Sequence, residues 1–103
     1  MPKRTRKYED SLNESLKDPK EAAAYLNTHL DDKEEDSEGV FLMALRDVAK
    51  AYGLTSIAEG TKLNRQSLYR ALSETGNPEL ATLIALLKVM GLRLSVEVMD
   101  KAS

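Results

Sequence analysis

The chain has 103 residues, 15 basic and 17 acidic side chains, a formal net charge of −2 and no cysteine. That length supports one domain with a modest core, and the lack of cysteine excludes disulfides and thiolate metal sites. No apolar run approaches the roughly 20 residues of a membrane span, and the basic N-terminus has no apolar signal core behind it, so a cytoplasmic protein is expected.

Charge is segregated along the chain. Residues 1–7 carry Lys3, Arg4, Arg6 and Lys7, a candidate minor-groove or phosphate arm whose bland reading is a solvated tail. Tyr8, Leu12 and Leu16 are spaced four apart and suit a short helix. A second helix is predicted over 19–31. Asp18 can cap it, Pro19 fits the first helical position and Glu21 the third, ahead of Ala22, Ala23, Tyr25, Leu26 and Leu30. His29 has no second histidine or cysteine for a metal set and reads as a helix-side residue. The acidic run 31–38 reads as a solvated connection or a face for a basic partner.

The next helix is predicted over 37–52. Val40, Phe41, Ala44, Leu45, Val48 and Tyr52 form its apolar stripe, and Gly53 ends it. Then comes LTSIAEGTKLNRQSLYRAL, residues 54–72, which reads as helix, tight turn and helix. Thr55 is a candidate cap for the first of the two. Leu54, Ile57 and Ala58 give that helix an apolar side, with Ala58 small enough for a close crossing. Asn64 is a good cap for the second, in which Leu68 and Leu72 point inward. Arg65, Gln66, Ser67, Tyr69 and Arg70 are left outside, with no acid between Lys62 and Arg70. Arg and Gln suit base edges, while Ser, Tyr and Arg suit phosphates. The pattern predicts a helix-turn-helix that offers its second helix to the DNA major groove.

Asn77 and Pro78 are expected to start a last helix, with Leu80, Leu83, Ile84, Leu87 and Met90 apolar and Gly91 at its end. Its first N–H groups are candidate phosphate donors. Residues 92–99, LRLSVEVM, alternate strictly, with Leu92, Leu94, Val96 and Val98 on one side. This predicts a half-buried strand. A lone strand needs a partner, and the same strand of a second copy would give a symmetric dimer; a partner protein's sheet edge and residues 1–8 are the other candidates.

Three stretches, LKDPKEAAAYLN, VFLMALRDVAKAYG and LNRQSLYRALSETGNPELATLIALLKVMGLRLSV, resemble the addiction-module antidote proteins. These are HigA-like antitoxins with a lambda-repressor-like (Xre-type) helix-turn-helix. The resemblance spans roughly residues 8–98, and SLYRALSETGNP followed by GLRLSV is its most specific part. It implies an antitoxin that binds and blocks a RelE/HigB-like toxin and represses its own promoter. One position departs from the common pattern, because Lys62 stands in the turn where Gly is usual and Gly60 lies within the helix. A left-handed Lys costs about 1 kcal/mol or more.

The fold expected is therefore mainly α: a lambda-repressor-like helix-turn-helix bundle with an N-terminal helical extension and one C-terminal β-strand paired across a dimer. The predicted divisions are 1–36 for the basic tail and extension, 37–91 for the DNA-binding core and 92–103 for pairing. The DNA-binding set is Lys62, Asn64, Arg65, Gln66, Ser67, Tyr69, Arg70 and Asn77. Gln66, with Arg65 or Ser67, is expected to read bases; Tyr69, Arg70, Asn64 and Asn77 are expected to hold phosphates. Leu92, Leu94, Val96 and Val98 are the dimerisation set. Double-stranded DNA with a pseudo-palindromic operator, a RelE/HigB-like toxin and a second copy are the expected partners. The alternative is a stand-alone repressor without a toxin. No cofactor, metal or enzymatic activity is expected, because no nucleophile–base set, metal set or phosphate-binding Gly-rich loop is visible.

Overall fold

A computed structural model describes residues 6–30, 37–73 and 75–99. Among the described residues there are six helices: α1 (Arg6–Leu16), α2 (Pro19–Leu30), α3 (Ser37–Tyr52), α4 (Leu54–Thr61), α5 (Arg65–Ala71) and α6 (Leu80–Val89). The mainly-α expectation holds. Lys3 and Arg4 of the basic arm, residues 31–36 of the acidic run, and residues 100–103 lie outside the described residues.

α3 is the central post. α1 and α2 pack on one side of it and on each other, and α4 leads away from its end to meet α5 and α6. Local chemistry starts and stops these helices. Asp18 accepts the Lys20 N–H at 3.0 Å with its carboxylate, one residue before Pro19 opens α2. The Tyr25 hydroxyl donates to Asp47 at 2.7 Å and ties α2 to α3. His29 lies against Tyr25, with ring centroids 4.5 Å apart, as a helix-side residue.

The core is continuous across the chain. Leu16, Ala22 and Leu26 from α1 and α2 join Ala44, Leu45, Val48 and Ala49 from α3, Ile57 from α4, Leu68 and Leu72 at α5, and Leu86, Leu87 and Met90 at α6. Leu45, Ile57, Leu68 and Leu86 are fully enclosed. Phe41 packs against this core from its edge.

The predicted apolar stripes of α3 and α6 largely face the core, but Tyr52, Leu80 and Ile84 do not. Tyr52 is exposed, and the inward side of α3 runs through Ala44, Leu45, Val48, Ala49 and Ala51. In α6, Leu80 is 64% exposed and Ile84 44% exposed, so the buried side is Leu83, Leu86, Leu87 and Met90. That helix begins at Leu80 with Glu79 as its N-cap, two residues after the predicted Asn77–Pro78 start. Glu79 has a further consequence: a carboxylate at that end opposes the phosphate-binding role expected of the first N–H groups. The close crossing lies at Gly60 of α4, where an added Cβ would sit 2.9 Å from Val89 of α6.

The predicted C-terminal strand is not formed. α6 ends in a Schellman motif: Gly91, at φ 80°, donates to Lys88, and Leu92 donates to Leu87 at 2.8 Å. The turn folds Leu92 back against the core. Residues 92–99 then carry no regular secondary structure, with Val96 97% and Val98 92% exposed. Strict alternation sets side-chain direction, but a strand also needs a ladder partner for its backbone. The described residues contain no strand to supply one. Within the predicted dimerisation set, Leu92 serves the core, while Leu94, Val96 and Val98 face solvent.

Candidate nucleic-acid interface

The α4–α5 pair occupies the stretch predicted to meet DNA, and its side chains build the turn. Gly53, not Thr55, is the N-cap of α4. Thr55 instead accepts from Arg65 Nη2 at 3.0 Å through its hydroxyl, which ties the start of α4 to the start of α5. Thr61 donates its hydroxyl to the Ile57 carbonyl at 2.8 Å and accepts the Leu63 N–H at 3.3 Å. Lys62 takes the left-handed conformation, φ 62° and ψ 16°, as the departure at that position required. Asn64 then caps α5 as expected, accepting the Ser67 N–H at 2.7 Å through Oδ1.

The burial of Leu68 and Leu72 fixes the rotation of α5. Helical geometry therefore puts Gln66 and Arg70, four apart, on the ridge opposite the core, and both are exposed. Tyr69, 50% exposed, lies on one flank of that ridge and half-buried Ser67 on the other. The Ser67 flank faces an open depression that also brings in Arg70, Asn77 and Thr82. The Tyr69 flank faces a separate groove against α3, shared with Arg46 and Lys50. Lys62, Asn64 and Arg65 stand exposed at the turn end of α5. The predicted set thus covers one ridge, its two flanks and one end, rather than a single pocket.

Asn77 is placed by Gly76. A Cβ on Gly76 would come within 2.5 Å of the Ala71 carbonyl oxygen and 2.7 Å of that of Arg70, so only glycine lets the loop cross the end of α5 this closely. The Gly76 N–H donates to Ser73 at 2.9 Å and holds the crossing.

The family described as "probable addiction module antidote protein" matches residues 6–98. The chain belongs to that family. An uncharacterised protein of Haemophilus influenzae is 38% identical over 84 residues, which are 82% of this chain and 84% of that protein. No solved structure matches the chain. None of the helices formed by the described residues of this antidote-family protein is long and apolar enough to cross a membrane.

Arg46 was missed by sequence reasoning. Its Nε–H donates to the Leu72 carbonyl at the end of α5. A guanidinium there meets the negative end of the helix dipole and a carbonyl left without an intrahelical donor. The contact joins positions 26 apart in sequence, so no local signal announces it. The Thr55–Arg65 bond escaped for a related reason: Thr55 fits a cap pattern, while its actual partner lies across the turn.

Proposed function

We propose that this antidote-family protein is a HigA-like antitoxin carrying a lambda-repressor-like (Xre-type) helix-turn-helix. It binds and blocks a RelE/HigB-like toxin and represses its own operon. It acts in the cytoplasm by binding, not by catalysis. The observation that carries the DNA half is α5, whose buried Leu68 and Leu72 leave Gln66 and Arg70 on the outermost ridge with no acid between Lys62 and Arg70. A helix laid in the major groove meets base edges with that ridge and phosphates with its flanks.

On this reading Gln66 and Arg70 read bases, where sequence alone suggested Gln66 with Arg65 or Ser67 and gave Arg70 to the phosphates. Arg65, tied to Thr55, and Lys62, Asn64, Ser67, Tyr69 and Asn77 contact the backbone around that ridge. A homodimer presents two such helices to a pseudo-palindromic operator with half-sites about 34 Å apart or a multiple of that. Exposed Leu94, Val96 and Val98 are the residues proposed to hold the two copies together.

The antitoxin half rests on family membership and is tested by co-purification. The tagged chain is expressed in its source cell with its neighbouring genes. Recovery of a small basic protein encoded next door, released by high salt or denaturant, is the expected result. A clean homodimer with no partner, in cells shown to express the neighbour, would contradict the antitoxin role and leave a stand-alone repressor.

A further inference from the structure

We infer that the DNA-facing surface extends past α4 and α5 onto α3, where Arg46 and Lys50, together with Tyr69 of α5, form a second contact for the phosphate backbone. The inference rests on the DNA-binding reading above. It concerns residues outside the helix-turn-helix stretch.

Three observations converge on the groove between α3 and α5. Among the described residues its walls carry Arg46, Lys50, Leu54, Tyr69, Leu72 and Ser73, two cations and no acid. Arg46 is already oriented: its Nε–H is spent on the Leu72 carbonyl, which fixes the guanidinium plane and leaves its two terminal NH₂ groups as donors. Such a preset fork matches phosphate oxygens, because little side-chain freedom remains to be lost on binding. Lys50 follows one turn later on the same side of α3 and is exposed. Tyr69, half exposed, lines the same groove from the flank of α5. That flank lies off the Gln66–Arg70 ridge, so its partners are the strands bordering the major groove rather than the base edges within it.

Lys50 has a rival set of neighbours. On its other side it borders a depression lined by Glu9 and Asp10 of α1 and Asp47 of α3. If those carboxylates are its true partners, Lys50 is a structural cation that holds α1. The test separates the two roles.

Affinity for a mixed-sequence DNA duplex is measured as a function of salt for the parent, Lys50→Gln and Lys20→Gln, with melting curves for each. Lys20 lies in the first turn of α2, is exposed and lies outside the groove. Loss of one phosphate contact lowers the steepness of log K against log salt by about 0.9. The expected result is that loss for Lys50→Gln with an unchanged melting temperature, and parental binding for Lys20→Gln. Arg46→Lys, which keeps the charge but not the fork, is expected to bind more weakly at a nearly parental slope. Three results would overturn the inference: a parental slope for Lys50→Gln, a lowered melting temperature with parental DNA binding, or an equal loss for Lys20→Gln, which would assign the effect to net charge. If the parent itself shows no salt-dependent DNA binding, the DNA-binding reading fails too, and that result is distinct from the others.

Discussion

Lys62 and Gln66 carry the sharpest single-residue expectations. Lys62 holds the left-handed turn that joins α4 to α5, a conformation that strains any side chain with a Cβ. Lys62→Gly relieves that strain but adds backbone freedom to the unfolded chain, so the net gain is at most about 1 kcal/mol. The melting temperature should rise slightly while DNA affinity falls, because a phosphate contact is lost. A fall in both would mean that the lysine side chain stabilises the turn. Gln66→Ala should weaken binding by about 1–3 kcal/mol through a single base position and relax the preference there. Affinity measured on duplexes varied at each position in turn would show it. Among these residues, Asn64 was legible in the sequence because a cap is local chemistry, whereas the fork of Arg46 was not, because its acceptor lies across the fold.

The helices differ in how openly the sequence announced them. α2, α4 and α5 follow from side-chain periodicity and nearby turn or cap residues, all of which act within a few positions. In α6, Leu83, Leu87 and Met90 face inward as the spacing predicts, but Leu80 and Ile84 do not, because LATLIALLKV is apolar nearly all round and its period selects the face only loosely. Its start lies at Leu80, after a loop in which Gly76 passes close over the end of α5. That crossing is testable. Gly76→Ala drives a methyl into two backbone carbonyl oxygens, which cannot move as a side chain can, so the melting temperature should drop clearly. An unchanged melting curve would show that the loop can lift off α5. Leu68 makes the complementary point from inside the core. It is fully buried, and Leu68→Ala should remove about 2–5 kcal/mol from a total of about 5–15 kcal/mol. Chemical denaturation measures that loss.

Across the molecule, residues 6–30 share one core with the stretch predicted to meet DNA, so α1 and α2 brace α3 rather than hang from it. The clearest miss of sequence reasoning is equally global. The alternation in 92–99 is real, but a strand is a property of two segments, and one sequence read alone shows only one of them. What the pattern leaves behind is an exposed apolar segment with Leu94, Val96, Val98 and Met99 in solvent. If it holds two copies together, Leu94→Ser, Val96→Ser and Val98→Ser combined should yield a folded monomer whose melting temperature no longer depends on protein concentration. Sedimentation equilibrium would read the mass; a dimer that survives the change would place the interface elsewhere.

The role of α5 is tested by selection of duplexes from a random-sequence pool, with the parent and Gln66→Ala run side by side. The parent should enrich a two-fold-symmetric site. Gln66→Ala should enrich the same site with its preference lost at one base pair in each half. A pool that stays random with the parent, or two identical enriched sites, would contradict the assignment of α5 as the reading helix.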